Sequence, residues 1–118
     1  MTNEKLKEYK GEIGANHIQE IRLKGFVEKY KELHSPTKTD SSRARDRYTF
    51  AHLLKFFGDP LLTQITTERV ENYKATRRKK VQAATVNKEL DLLKSLLNRA
   101  LEWGYIKTNP TLAVRKYK

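Results

Sequence analysis

"RRKKVQAATVNKELDLLKSLLNRA" occupies residues 77–100. Its second half sets the fold. Val86, Leu90, Leu93, Leu97 and Leu101 recur at helical spacing and form one stripe. Leu92, Leu96 and Trp103 widen that stripe to roughly half the helix circumference. The spacing predicts a helix over residues 84–103. A helix this apolar packs against more than one neighbour, so it belongs at the centre of a helical domain. Gly104 supplies its stop, and "TNP" at 108–110 prevents continuation. Directly before it stand four consecutive cations, Arg77, Arg78, Lys79 and Lys80. Cations suit the C-terminus of a preceding helix through the macrodipole. They are also what a phosphate-gripping joint would need.

The flanking sequence extends the helical reading. Ile18, Ile21, Phe26, Val27, Tyr30 and Leu33 predict a first helix over residues 16–34. Pro36 disfavours helix at Ser35, and "HSPTKTDSS" reads as a loop. A second helix over 41–57 carries Phe50, Leu53, Leu54 and Phe57, and Gly58 ends it. Thr66 is the candidate N-cap of a third helix, with Ile65 and Val70 at the two ends of a hydrophobic staple. The final "TLAVRKYK" reads as the start of a short helix or as a linker. No alternating strand pattern and no repeat is present. The expected fold is all-α, a bundle of four to five helices. Residues 1–16 read as a tail, 17–107 as the helical domain and 108–118 as a basic linker.

Composition narrows the function. The 118 residues fit one domain, 37% hydrophobic and 33% charged. There are 25 Lys and Arg against 14 Asp and Glu, a formal net charge of +11. Such a balance favours an anionic partner: DNA, RNA or an acidic membrane surface. The excess is local. Residues 41–84 hold ten Lys/Arg against four Asp/Glu, whereas residues 1–40 hold eight against seven. A basic face is therefore expected. No cysteine is present, which removes disulfides and thiolate metal sites. His17, His34 and His52 form no H-x-x-H or H-x-x-x-H pair, so zinc lacks support. His52 reads as a surface or partly buried structural histidine. There is no phosphate-binding glycine loop. No cofactor, metal or catalytic set is expected. No apolar run reaches the ~20 residues of a membrane span, and the N-terminus lacks a signal-peptide stretch.

The candidate nucleic-acid contacts fall in three groups. Arg43, Arg45 and Arg47 open the second helix. Spaced by two, they cannot share one narrow stripe. Arg77, Arg78, Lys79 and Lys80 form the second group. Thr85, Asn87 and Lys88 begin the last helix. There Asn can read adenine, and Thr and Lys can meet phosphates or base edges. Thr85 as a helix cap is the structural alternative. Lys88 and Lys94 lie off the leucine arc. Lys107, Arg115, Lys116 and Lys118 make a basic tail.

"TFAHLLKFFGDPLLTQITTERVENYKATRRKK" (49–80) and "AATVNKELDLLKSLLNRALEWGYIKTNP" (83–110) together carry a resemblance. The order of "FFG" at 56–58, "IT" at 65–66, "ATVNKEL" at 84–90 and A-x-x-W-G-Y-I-x-x-N-P at 100–110 resembles the SAM-like core-binding domain of phage-type integrases, the tyrosine recombinases. The resemblance covers residues 17–114. It implies a four-helix domain that clamps one side of duplex DNA at a recombination core site. A catalytic domain of the same parent protein closes from the other side. The second and fourth helices approach the major groove, which maps onto Arg43, Arg45, Arg47, Thr85, Asn87 and Lys88. The first helix serves contacts between recombinase protomers. The family's Arg/His/Arg set and tyrosine nucleophile are absent from the sequence, so the chain is expected not to cleave DNA and to be part of a larger protein or a truncated product. The N-terminal stretch is too short for an arm-type DNA-binding domain. Gln82 departs from the family, which commonly places a better capping residue there. A bacterial or phage-encoded cytoplasmic protein is implied.

Two other readings stand beside this one. The chain could be a helical protein-interaction module with an incidental basic surface, using its first helix, Leu112 and Val114. It could also be an RNA-binding bundle, though most aromatics sit at stripe positions and not where single strands could stack.

Overall fold

The computed structural model describes residues 19–118. Four α-helices follow in order: α1 (Leu23–Leu33), α2 (Asp40–Phe57), α3 (Thr67–Arg78) and α4 (Ala83–Glu102). Single turns of 3-10 helix sit at Ser35–Thr37 and Leu62–Gln64. The all-α expectation holds. Among the described residues the only β-pairing is an isolated bridge between Arg22 and Leu61.

The bridge explains why α1 starts later than its apolar pattern suggests. Leu23 N–H donates to the Pro60 carbonyl at 2.8 Å, and Leu62 N–H donates to the Ile21 carbonyl at 3.0 Å. These bonds hold residues 21–22 extended, so helical geometry begins at Leu23. The first helix has no capping side chain of its own. Asp59 supplies one from the α2–α3 loop, its carboxylate accepting Lys24 N–H at 2.9 Å. Residues 16–18 of the expected helix lie outside the described residues.

The other boundaries follow local chemistry. Thr39 caps α2 by accepting Ser42 N–H at 3.2 Å, and Gly58 ends it at φ 75°. Thr66 caps α3 by accepting Arg69 N–H at 3.2 Å, as its position predicts. Ile65 and Val70 are both buried. Gln82 is the N-cap of α4 and makes no side-chain cap bond. Thr85 lies inside the first turn, so it is not the cap.

Helix α4 is central. Val86, Leu90, Leu92, Leu93, Leu96, Leu97 and Ala100 are buried. They meet Leu23, Phe26, Val27 and Tyr30 of α1, Phe50, Leu53 and Phe57 of α2, and Val70 and Tyr73 of α3 in one core. At about 25 cal/mol per Å² of apolar surface removed from water, this burial is the main stabilising term. Two stripe residues expected in the core lie outside it. Leu33 and Leu101 are 60% and 38% exposed, because each lies at the end of its helix beyond its neighbours.

The chain after α4 folds back without a fifth helix. Gly104 reverses it at φ 87°. Trp103 and Tyr105 pack on the Phe26 ring, with centroids 5.5 and 5.4 Å away. Asn109 is buried and ties this segment to α4. Its amide donates to the Lys94 carbonyl and to Asn98 Oδ1, while its own oxygen accepts from Thr111. That turn, with Pro110 in it, prevents helix at "TLAV".

Candidate nucleic-acid interface

The middle of α2 and the first turns of α4 flank an open cleft of about 430 Å³. Arg45, Tyr48, Thr49 and His52 line it from α2. The spacing i, i+3, i+4, i+7 places these four on one helix face. Thr85 and Lys88, also three apart, line it from α4. A second cleft, about 380 Å³, continues past Lys88 toward Asp91 and Ser95, and Arg45 and Lys88 border both. The packing of α2 on α4 thus brings two cations from distant parts of the sequence to one ridge between clefts.

The floor is a buried polar network. Glu89 is only 4% exposed. Its carboxylate accepts Arg77 Nε at 2.9 Å and Nη2 at 2.8 Å, and the Tyr73 hydroxyl at 2.7 Å. Burial pushes the Glu89 carboxyl up, but the Arg77 bonds, with help from Tyr73, outweigh it and hold the group below its usual range. Burial and the adjacent carboxylate push the Tyr73 phenol up. The bond to Glu89 raises Arg77 in turn. Tyr73 stacks on Phe57, with centroids 5.6 Å apart and planes 20° apart.

This geometry divides the residues expected at the interface. Arg77 turns inward to Glu89, because a buried carboxylate needs a paired fork of donors. It is a wall of the cleft and not a free phosphate contact. Arg78, Lys79 and Lys80 are exposed at the end of α3 and the turn after it. Arg45 joins Lys88, but Arg43 and Arg47 lie four residues apart on another face of α2. Arg43 is held at the helix start by Asp40 and by the Lys38 carbonyl. Arg47 is exposed. Among the described residues, Arg45, Arg47, Lys79, Lys80 and Lys88 have no ion-pair partner.

Asn87 is separated from Thr85 and Lys88. Its Nδ2 donates to the Tyr117 carbonyl, and its Oδ1 accepts Tyr117 N–H, both at 2.8 Å. Lys116 pairs with Asp91 at 3.1 Å, and Lys74 lies 4.6 Å from the Tyr117 ring centroid. The side of α4 bearing Asn87 therefore receives the C-terminal segment, and its amide is occupied.

Tyr48, Thr49 and His52 are cleft residues that the sequence pattern did not assign to the interface. The one signal for them was Tyr48 at i+3 from Arg45 and outside the apolar stripe of α2. Among the described residues, no group of three His, Cys, Asp or Glu could hold a metal ion, and no helix is long and apolar enough to cross a membrane.

An all-α bundle with an open cleft and a basic ridge that has no ion-pair partner among the described residues defines a class: a small helical domain with a cationic face. The chain belongs, more particularly, to the phage integrase N-terminal domain family, whose model matches residues 19–118. Similar folds occur in a lambda integrase dimer bound to a COC′ core site (TM-score 0.79, 18% identity, 85% of this chain and 29% of that one). Another is a lambda integrase tetramer bound to a Holliday junction (TM-score 0.78, 18% identity, 83% of this chain and 30% of that one). The chain thus spans under a third of the length of these two relatives. No curated protein matches by sequence.

Proposed function

We propose that this chain is the core-binding domain of a tyrosine site-specific recombinase and grips duplex DNA at the recombination core site. The observation that carries this reading is that Arg45 and Lys88 border the same two clefts and have no ion-pair partners among the described residues. Arg78, Lys79 and Lys80 extend the positive surface from the α3–α4 turn, while Arg43 and Arg47 lie on another face of α2. Thr85 adds a hydroxyl at the mouth of the cleft. Family membership and the DNA-bound state of the lambda integrase relatives support the same partner.

In this reading the domain positions DNA and does not cut it. Strand cleavage belongs to a catalytic domain of the same parent protein, reached through the basic segment 108–118. Other protomers meet it through α1, and the setting is the cytoplasm of a bacterium carrying the phage or mobile element. Non-specific duplex binding by the domain alone is expected on the order of 10⁻⁴–10⁻⁶ M at physiological salt. An anisotropy titration at low salt tests this. Saturable duplex binding supports the reading, and its absence contradicts it.

A further inference from the structure

Tyr48 is 71% exposed, the most exposed of the large hydrophobic side chains among the described residues. Its ring lies against His52, with centroids 5.1 Å apart and planes 21° apart. The core does not need it, since Phe50, Leu53 and Phe57 supply the apolar stripe of α2. Isolated exposed aromatics are common and need no special cause. This one is different in its setting. It lines the cleft together with Arg45 and Lys88, and the Thr49 and Thr85 side chains line the same space.

We propose that Tyr48, backed by His52, is a sequence-reading contact that rests on thymine 5-methyl groups in the major groove. The inference rests on duplex binding through this cleft. The chemistry is specific. A phenol ring braced on one face by an imidazole offers a flat apolar surface that loses little freedom on contact. The thymine methyl is the one apolar group that major-groove edges present. Phosphate contacts from Arg45 and Lys88 would carry no sequence information, so a largely apolar ring lining the cleft beside them is placed to discriminate. His52 is a positioning residue: it fixes the ring and does not itself reach the base.

The test compares two AT-rich duplexes of identical sequence, one with thymine and one with deoxyuridine throughout. They differ only in the methyl groups. The wild-type chain is expected to prefer the thymine duplex by about fourfold for each methyl it covers, the equivalent of about 0.8 kcal/mol per buried carbon. Tyr48→Ala should bring the ratio close to one while keeping the salt dependence. Tyr48→Phe should retain the preference. Arg45→Ala should weaken binding to both duplexes alike and leave the ratio intact. Tyr48 is largely exposed, so its variants should fold, and circular dichroism checks that they do. A wild-type ratio in Tyr48→Ala would overturn the contact while leaving the DNA reading standing. Tighter binding to the separated single strand than to the duplex would overturn the major-groove assignment. No duplex binding by the wild-type chain would overturn the DNA reading, and this inference with it.

Discussion

Arg77 and Glu89 form a two-point pair, Nε to Oε1 at 2.9 Å and Nη2 to Oε2 at 2.8 Å, that joins the end of α3 to α4. The pair sits under the cleft. Arg77 is 12% exposed at its side chain and Glu89 5%. It anchors the end of α3, from which Arg78, Lys79 and Lys80 continue into the α3–α4 turn.

Removing Arg77 should unfold more than it unbinds. Arg77→Ala leaves a buried carboxylate with only Tyr73 as partner. Breaking such a pair typically costs about 3 kcal/mol or more. Urea denaturation should show that loss. Arg77→Lys should recover little of it, because an ammonium cannot reproduce the two parallel bonds. A stability change near zero for Arg77→Ala would show the pair to be incidental.

Glu89 also gives a pH dependence with a defined sign. Its folded-state pKa is lowered, so the unfolded chain binds protons more readily. The stabilisation is present above the unfolded value of about 4.3 and is lost as pH falls through the lower folded value. Unfolding midpoints should therefore drop across that acid window. Glu89→Gln should be less stable near neutrality and should show a flatter acid limb. An acid limb as steep in Glu89→Gln as in wild type would place the titration elsewhere.

Asn87 holds the backbone of Tyr117 from both sides of its amide. Asn87→Ala should remove the hydrogen-exchange protection of the Tyr117 amide, with duplex affinity changing less than about twofold. Each such bond contributes about 0.5–1.5 kcal/mol, so the effect should be local. A large sequence-dependent loss of DNA affinity would show that Asn87 leaves Tyr117 to read a base.

The exposed cations after Arg77 should behave in the opposite way. Replacing Arg78, Lys79 and Lys80 together with Ala should leave the urea midpoint nearly unchanged. It should weaken duplex binding on all sequences and flatten the slope of log K against log salt by about 0.9 for each phosphate left without its cation. Sequence-selective losses would contradict a backbone-only role.

Much of the fold was legible because leucine spacing reports packing directly. The stripe on α4 predicted its burial, and Gly58, Thr66 and Gly104 predicted where helices stop or start. The start of α1 was not legible. It depends on Ile21 and Arg22 pairing with residues 60–62, a contact between segments about forty positions apart. The site was less legible for the same reason. A run of four cations reads as one patch, but the helix end turns Arg77 to a carboxylate twelve residues later and leaves the other three outside. Arg43, Arg45 and Arg47 read as a group, yet a 100° turn per residue separates Arg45 from the other two. Thr85, Asn87 and Lys88 are likewise split, since the C-terminal segment claims one side of α4. Nothing in the sequence around Glu89 marked it for burial, since its partner Arg77 lies on another helix.

The Arg45–Lys88 ridge should bind duplex phosphates. The most direct measurement is the salt dependence of duplex affinity for wild type and for the double variant Arg45→Ala, Lys88→Ala. If both cations neutralise phosphates, the double variant should lose affinity on every sequence, and the slope of log K against log salt should shrink by about 2. An unchanged slope in a folded double variant would contradict phosphate binding at this ridge.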